Sequence, residues 1–286
     1  MIRVVCAPYH LGRHRDGMGA GPERLLAAGA PDRLRSAGRE VEVVEVDAPR
    51  PVGHETGAYF AVQTSLARAT AQAVDAGAFP LVLGGDCGCV LGVTAGLGRE
   101  SRTGVVWFDA HGDANTPEST VSGFLDGMAV AVLTGLCWQG LAGAVPGFGP
   151  VPGDQVLLAG VRSVDPQERR VIEAAGIPVV GPAGLGPSGD SPFVRALDAL
   201  AARVHSVHVH VDLDVIDPGD GVANGFAVDG GPSLAALTAS VEAIGAAVPV
   251  HSVSLTSYDP AHDADGRAAA SALRLLDSLA ALAPPG

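Results

Sequence analysis

The stretch VVWFDAHGDANTP, Val105 to Pro117, decides how the rest of the chain is read. It opens as a β-branched and aromatic run, the composition of a buried strand. It then turns into alternating acid, imidazole and acid. That alternation brings Asp109, His111 and Asp113 within reach of one point, where strand passes into loop. A second run, VHVHVDLDVIDP from Val207 to Pro218, repeats the pattern; it ends in Asp212 and Asp214, which the strand period places on one face. A third, PLVLGGDCG from Pro80 to Gly88, runs into a Gly-Gly-Asp turn followed by Cys87.

Working outward, the runs IRVVC, VEVVEV, QVLLAG, IPVVG and HSVSL bring the candidate strands to eight. Between most of them lie Ala/Leu-rich stretches with helical spacing, such as Pro22 to Ala37, Tyr59 to Ala76 and Ser233 to Ala246. Alternating strand and helix implies parallel pairing with right-handed crossovers, and strands this apolar suit a sheet buried on both faces. The Gly/Pro-rich pieces Gly143 to Gly153 and Gly181 to Asp190 read as surface loops, and no linker divides the chain, so a single α/β domain over residues 1–286 is expected. In open parallel sheets ligands bind beyond the carboxyl ends of the strands, where the acidic runs lie.

Composition narrows the chemistry. Hydrophobic residues make up 47% of the 286 positions and charged residues 17%, enough for a large core. The net charge of −13 argues against a nucleic-acid partner, whose phosphates need a basic surface. The chain has no lysine, which excludes a Schiff-base lysine and a Walker-type phosphate loop. No stretch has the length and apolarity of a membrane span and no signal peptide is visible, so a cytoplasmic protein without membrane contact is expected. Cys6, Cys87, Cys89 and Cys137 lack zinc-site spacing and a disulfide pattern, and all but Cys87 read as buried reduced thiols.

An Asp after a strand is often only a turn former or a helix cap, and for Asp214 or Asp217 alone that is the better account. The joint pattern DxHxD and DxDxxDP is hard to produce by capping. Four carboxylates in one low-dielectric crevice repel one another, and a cation relieves them. Oxygen donors with one imidazole suit Mn²⁺, and two ions that share carboxylates activate a water between them.

On these residues the chain resembles the arginase and agmatinase (ureohydrolase) family. WFDAHGDANTPE, HVDLDVIDP and GGDCG resemble its three signature motifs, and GMGAGPERL, from Gly17 to Leu25, resembles its opening. The resemblance spans nearly the whole chain. It implies a three-layer α/β/α sandwich with a mostly parallel eight-stranded sheet, a binuclear manganese centre, hydrolysis of a guanidino or related C–N bond in a small molecule, and a trimeric or hexameric homo-oligomer. Carried over residue by residue, Asp109 and Asp212 bridge two Mn²⁺ ions, His111 and Asp214 complete one site, and Asp113 completes the other with Cys87.

Departures from the family pattern begin at Cys87, where the family usually has His. Either the Cys87 site binds its ion weakly or prefers another metal, or Cys87 is a spectator and the centre is effectively mononuclear. Asp126 stands where arginases place a proton-shuttling His, and Ser257 where the family has the Glu that grips a guanidinium. Asp126, with Asp113, is therefore a candidate catalytic carboxylate and the expected partner of the substrate head in place of Ser257; its other reading is a solvated loop residue. Asn115 and Ser122 match positions that hold an α-carboxylate in arginases, and Asp165 one that holds the α-amino group, although Asp165-Pro-x-Glu168 is also a capping box. Phe226 replaces a frequent Thr, which makes the pocket wall more apolar. His208 and His210 share strand parity with Asp212 and are expected beneath the centre. Alternatives to an active amidinohydrolase are a non-catalytic relative keeping one metal and, less well supported, a mononuclear zinc deacetylase.

Overall fold

The computed structural model describes residues 1–48, 54–98, 102–186 and 190–284. All eight candidate strands enter one sheet: β1 (Ile2–Ala7), β4 (Val41–Glu45), β5 (Phe79–Gly84), β6 (Thr103–Phe108), β7 (Val156–Ala159), β8 (Val179–Val180), β9 (Ser206–Asp212) and β10 (Val250–Thr256). Every pairing in it is parallel, in the order β4-β1-β5-β10-β9-β6-β7-β8. A separate antiparallel hairpin, β2 (Tyr9–His10) and β3 (Arg13–His14), follows β1.

Strand alternation sorts the core into two layers. Val4, Leu81, Leu83, Val106, Phe108, Val209 and Val211 pack in one cluster with α1 (Gly21–Ala27), α2 (Ala30–Ser36), α8 (Pro192–Ala201), α9 (Leu234–Ala247) and α10 (Arg267–Ala281). Their neighbours Val5, Val82, Val105 and Trp107 point the other way. They meet α3 (Glu55–Asp75), α4 (Cys89–Leu97), α5 (Ala129–Leu133) and α7 (Pro166–Ala174), while the short α6 (Gln139–Ala142) adds Ala142 to an outlying cluster. Helices on both faces of a parallel sheet make the expected α/β/α sandwich.

Three sequence expectations are corrected in detail. Pro22 to Ala37 is not one helix, because Gly29 at φ +92° ends α1 and Pro31 restarts the chain in the first turn of α2. The last acidic run stops being a strand at Asp212. One Asp212 oxygen, Oδ1, accepts from the Asp214 amide at 2.8 Å and folds Leu213–Val215 into a 3-10 turn, so Asp214 reaches the site from a turn and not from a shared strand face. IPVVG keeps only two residues in the sheet. In the loop from Gly181 to Asp190, residues 187–189 lie outside the described ones.

At the end of β5 the chain passes close to the hairpin. A Cβ added at Gly85 would lie 2.2 Å from the Tyr9 carbonyl oxygen, so only glycine fits. Gly85→Ala is expected to cost about 1–3 kcal/mol through backbone displacement, read as a lower melting temperature. An unchanged melting temperature would show that the two segments are not in contact.

Candidate metal centre

Because the sheet is parallel, every strand delivers its following loop to the same edge. The adjacent strands β5, β10, β9 and β6 deliver Asp86 and Cys87, Ser257, Asp212 with Asp214, and Asp109 with His111 and Asp113. These loops meet in a solvent-open cleft of about 620 Å³ whose lining includes His111, Asp113, Asp126, Asp212, Asp214 and Ser257.

Two groups of metal-donor side chains form there: Cys87, Asp109 and Asp113, and Asp109, His111 and Asp214, with the donor atoms of each group within 4.8 Å of one another. Asp109 belongs to both. Its Oδ2 accepts from the Trp107 indole at 2.9 Å and its Oδ1 from the His111 amide at 2.7 Å. His111 Nδ1 stands 3.4 Å from both Asp109 Oδ1 and Asp214 Oδ2. Asp113 adopts φ +47°, and its side chain lines the cleft. Strained backbone that holds an acid at a cleft beside other donor side chains is what a ligand held for a cation looks like. Asp212 falls in neither group. Its Oδ2 accepts from the Cys87 thiol at 2.9 Å and its Oδ1 from the Asp214 amide.

Burial, followed by the mutual repulsion of Asp109, Asp214 and Asp126, pushes the carboxyls of Asp109, Asp113 and Asp212 up from the usual range. Asp126 is pushed well up by burial and then by Asp86. Burial pulls the His111 imidazole down, but hydrogen bonds and charge from Asp109 and Asp214 outweigh it and lift it to about 12. Asp214 ends below its ordinary value, since His111 overcomes the effect of burial. Burial and then Asp212 raise the Cys87 thiol. A cluster that must take up protons to stay compact fits divalent ions, whose charge takes the place of those protons.

The remaining expected residues fall as follows. Asp126 is buried, with its Oδ1 accepting from the Gly88 amide at 3.3 Å, which overturns the reading as a solvated loop residue. Ser257 is buried at φ +64°, with its hydroxyl 3.4 Å from the Cys87 sulfur. Asn115 lines the cleft and accepts from Ser119 at 2.9 Å. Asp165 lies at the rim, where its amide donates to Glu168 Oε2 at 3.2 Å in the expected capping turn. Ser122 is exposed on a neighbouring turn, where its hydroxyl accepts from the Phe124 amide, and it is not part of the lining. Phe226 is half exposed at the mouth, its ring 5.1 Å from that of Phe124. His208 and His210 are fully buried below the centre. Ser254 links them, and His210 stacks on Trp107 at 4.0 Å.

Three residues escaped the sequence reading. Glu168 also accepts from the Ala114 amide at 3.0 Å, tying α7 to the Asp113 loop. Asn224 donates to the Ser257 carbonyl at 2.9 Å and to Asp214 Oδ2 at 3.4 Å. The Arg162 guanidinium donates to the carbonyls of Gly160, Asp214, Val215, Ile216 and Val228. The capping spacing and the Asn-Gly pair were visible signals for the first two. Arg162 carried none, because its partners are backbone atoms of distant segments.

A family model described as the arginase family matches residues 1–281. The arginase of Bacillus caldovelox is 32% identical over 97% of each chain, and that of Bacillus subtilis (strain 168) 31% over 97% of each. A 1.7 Å crystal structure of the Bacillus subtilis arginase superposes with a TM-score of 0.88 at 30% identity, covering 98% of both chains. A crystal structure of the Entamoeba histolytica arginase, in complex with L-ornithine, gives 0.83 at 25% identity over 97% of both.

The raised carboxyls set a sign for stability. Asp groups whose folded pKa lies above the unfolded value, about 3.9, stabilise while protonated and lose that contribution as pH rises. Asp86, held at about 7, and His111, held at about 12, act in the same direction. His208 and His210, pulled down by burial, act the other way only below neutral pH, so metal-stripped protein should melt lower at pH 8.5 than at pH 7, and divalent ions should restore more stability at the higher pH. A melting temperature that rises with pH over that range in stripped protein would contradict the clustering.

Proposed function

Because the chain belongs to the arginase family, we propose that it is a metal-dependent hydrolase of a guanidino, amidino or related C–N bond in a small, amino-acid-like substrate. The observation that carries this is Asp109, a buried carboxylate common to two donor groups whose members His111, Asp113 and Asp214 line a solvent-open cleft. On the His111 side the donors are carboxylate oxygens and one imidazole, which suits Mn²⁺; two ions would be held by Asp109, His111 and Asp214 and by Asp109, Asp113 and Cys87, with Asp212 beside them as a further carboxylate. When bound, such a pair supplies an activated water and a Lewis acid at neutral pH.

The chain's own residues do the rest. Trp107 and the His111 amide fix the Asp109 carboxylate, as a ligand must be fixed by its neighbours. Asp126 takes the substrate's cationic or hydrogen-bonding head, since Ser257 offers only a hydroxyl, and Asp113 stands beside it as the second reacting-side carboxylate. Asn115 and Asp165, with Ser122 on the adjoining turn, are assigned the amino-acid end. The ornithine bound by the Entamoeba relative supports a substrate of that kind. Likeness to the family extends the proposal to a single domain acting as a cytoplasmic homo-trimer or hexamer.

The test is elemental analysis of protein reconstituted in excess Mn²⁺, followed by assays of urea or amine release from arginine, N-hydroxyarginine, agmatine and shorter guanidino acids. Two ions per chain and turnover of one of these are expected. Asp126→Ala should retain the metal and lose turnover by roughly 100-fold or more. Unchanged turnover in that variant removes Asp126 from the chemistry. One ion or none, with no product from any compound, would point to a different C–N substrate or to a non-catalytic relative.

A further inference from the structure

We propose that the half of the centre built on Cys87 is a thiolate site that selects a borderline-soft divalent ion of the zinc class, while the His111 half keeps a hard ion of the manganese class, so that the filled centre is mixed. This deepens the proposed function and rests on the two-ion reading of the cleft.

The two halves differ in one donor. Around Asp109 the first has His111 and Asp214, imidazole and oxygen only; the second has Cys87 and Asp113. Sulfur is the one soft atom among these ligands. Thiolates favour zinc over manganese, which prefers carboxylate, water and imidazole. Cys87 is 1% exposed, so its sulfur faces the cluster and not solvent. Its thiol donates to Asp212, with the hydroxyls of Thr256 and Ser257 at 3.5 and 3.4 Å. A thiol is a weak donor, and a hydroxyl would serve Asp212 better. What sulfur adds at this point is affinity for a soft ion.

A second observation comes from Asp113. The residue is 8% exposed and lines the cleft, with a carboxylate oxygen within 4.8 Å of the Cys87 sulfur. The loop holds it there at φ +47°, with the Val130 amide donating to its carbonyl at 2.8 Å and Glu168 gripping the next residue. An acid that the backbone holds at the cleft beside a sulfur and a second acid is placed to share a cation with them. On loading, the Cys87 S–H bond breaks heterolytically, the proton leaves to solvent, and the sulfur lone pair forms the bond to the ion. The Asp212 oxygen that accepts that proton is released from it.

Cobalt(II) is the probe. Metal-stripped, full-length protein titrated with Co²⁺ should develop a thiolate-to-cobalt charge-transfer absorption in the near ultraviolet, lost in Cys87→Ser. Given one equivalent of Zn²⁺ per chain in a large excess of Mn²⁺, the wild type should carry one of each, and Cys87→Ser should lose most of its zinc to manganese. Should Cys87→Ser fail to fold, X-ray absorption at the zinc edge of the wild type answers the same question, with a Zn–S distance of about 2.3 Å expected. Full cobalt occupancy without the sulfur band, or a zinc shell of oxygen and nitrogen alone, overturns the thiolate site and leaves the two-ion reading standing. Failure to bind cobalt at all overturns both.

Discussion

Repulsion among Asp109, Asp113, Asp126, Asp212 and Asp214 is the constraint to which the rest of the structure answers. These acids are buried at one edge of one sheet, where neighbouring carboxylates raise the cost of ionising Asp109, Asp113, Asp126 and Asp212, while His111 keeps Asp214 below its ordinary value. No lysine exists to neutralise them, and among the described residues no arginine lines the cleft. The fold offsets the charge with neutral dipoles: the Trp107 indole on Asp109, the Gly88 amide on Asp126, the Asp214 amide on Asp212. Those donors fix orientation without removing the charge, and what remains is a demand for cations.

Much of this was legible because it is local. A strand that ends in alternating acids, as two do here, declares both its direction and its chemistry, and eight strand runs with helical stretches between most of them leave few alternatives to a parallel sheet. The match to the metal motifs came from residues two apart at the ends of those two strands. Legibility failed where partners are far apart in sequence or where the chain turns. Asp214 could not be seen to leave the strand, because a hydrogen bond from its own amide to Asp212 makes the turn. Asp126 could not be distinguished from a solvated residue until the Asp86–Gly88 turn closed over it. Ser122, two residues before Phe124, sits outside the cleft lining because its hydroxyl caps its own turn.

The cleft is also graded along its depth. Its floor is acidic and immobilised by backbone donors, and its mouth carries the Phe124 and Phe226 rings, with Phe226 half exposed. A ligand with a cationic head and an apolar body meets both ends in the right order. Ser257, buried at positive φ and held through its carbonyl by Asn224, leaves the wall beside Asp212 small and uncharged.

Arg162 gives the centre a property of a different kind. Its guanidinium ties together five carbonyls from the β7 exit, the Asp214 turn and the segment near Val228. Guanidinium keeps its charge throughout the range in which aspartates titrate, so this clasp is indifferent to how many ions the cleft holds. The Asp214 backbone is thus set before any metal arrives. Loading then resembles filling a cast mould, and one ion can be exchanged for another without the chain first having to come apart.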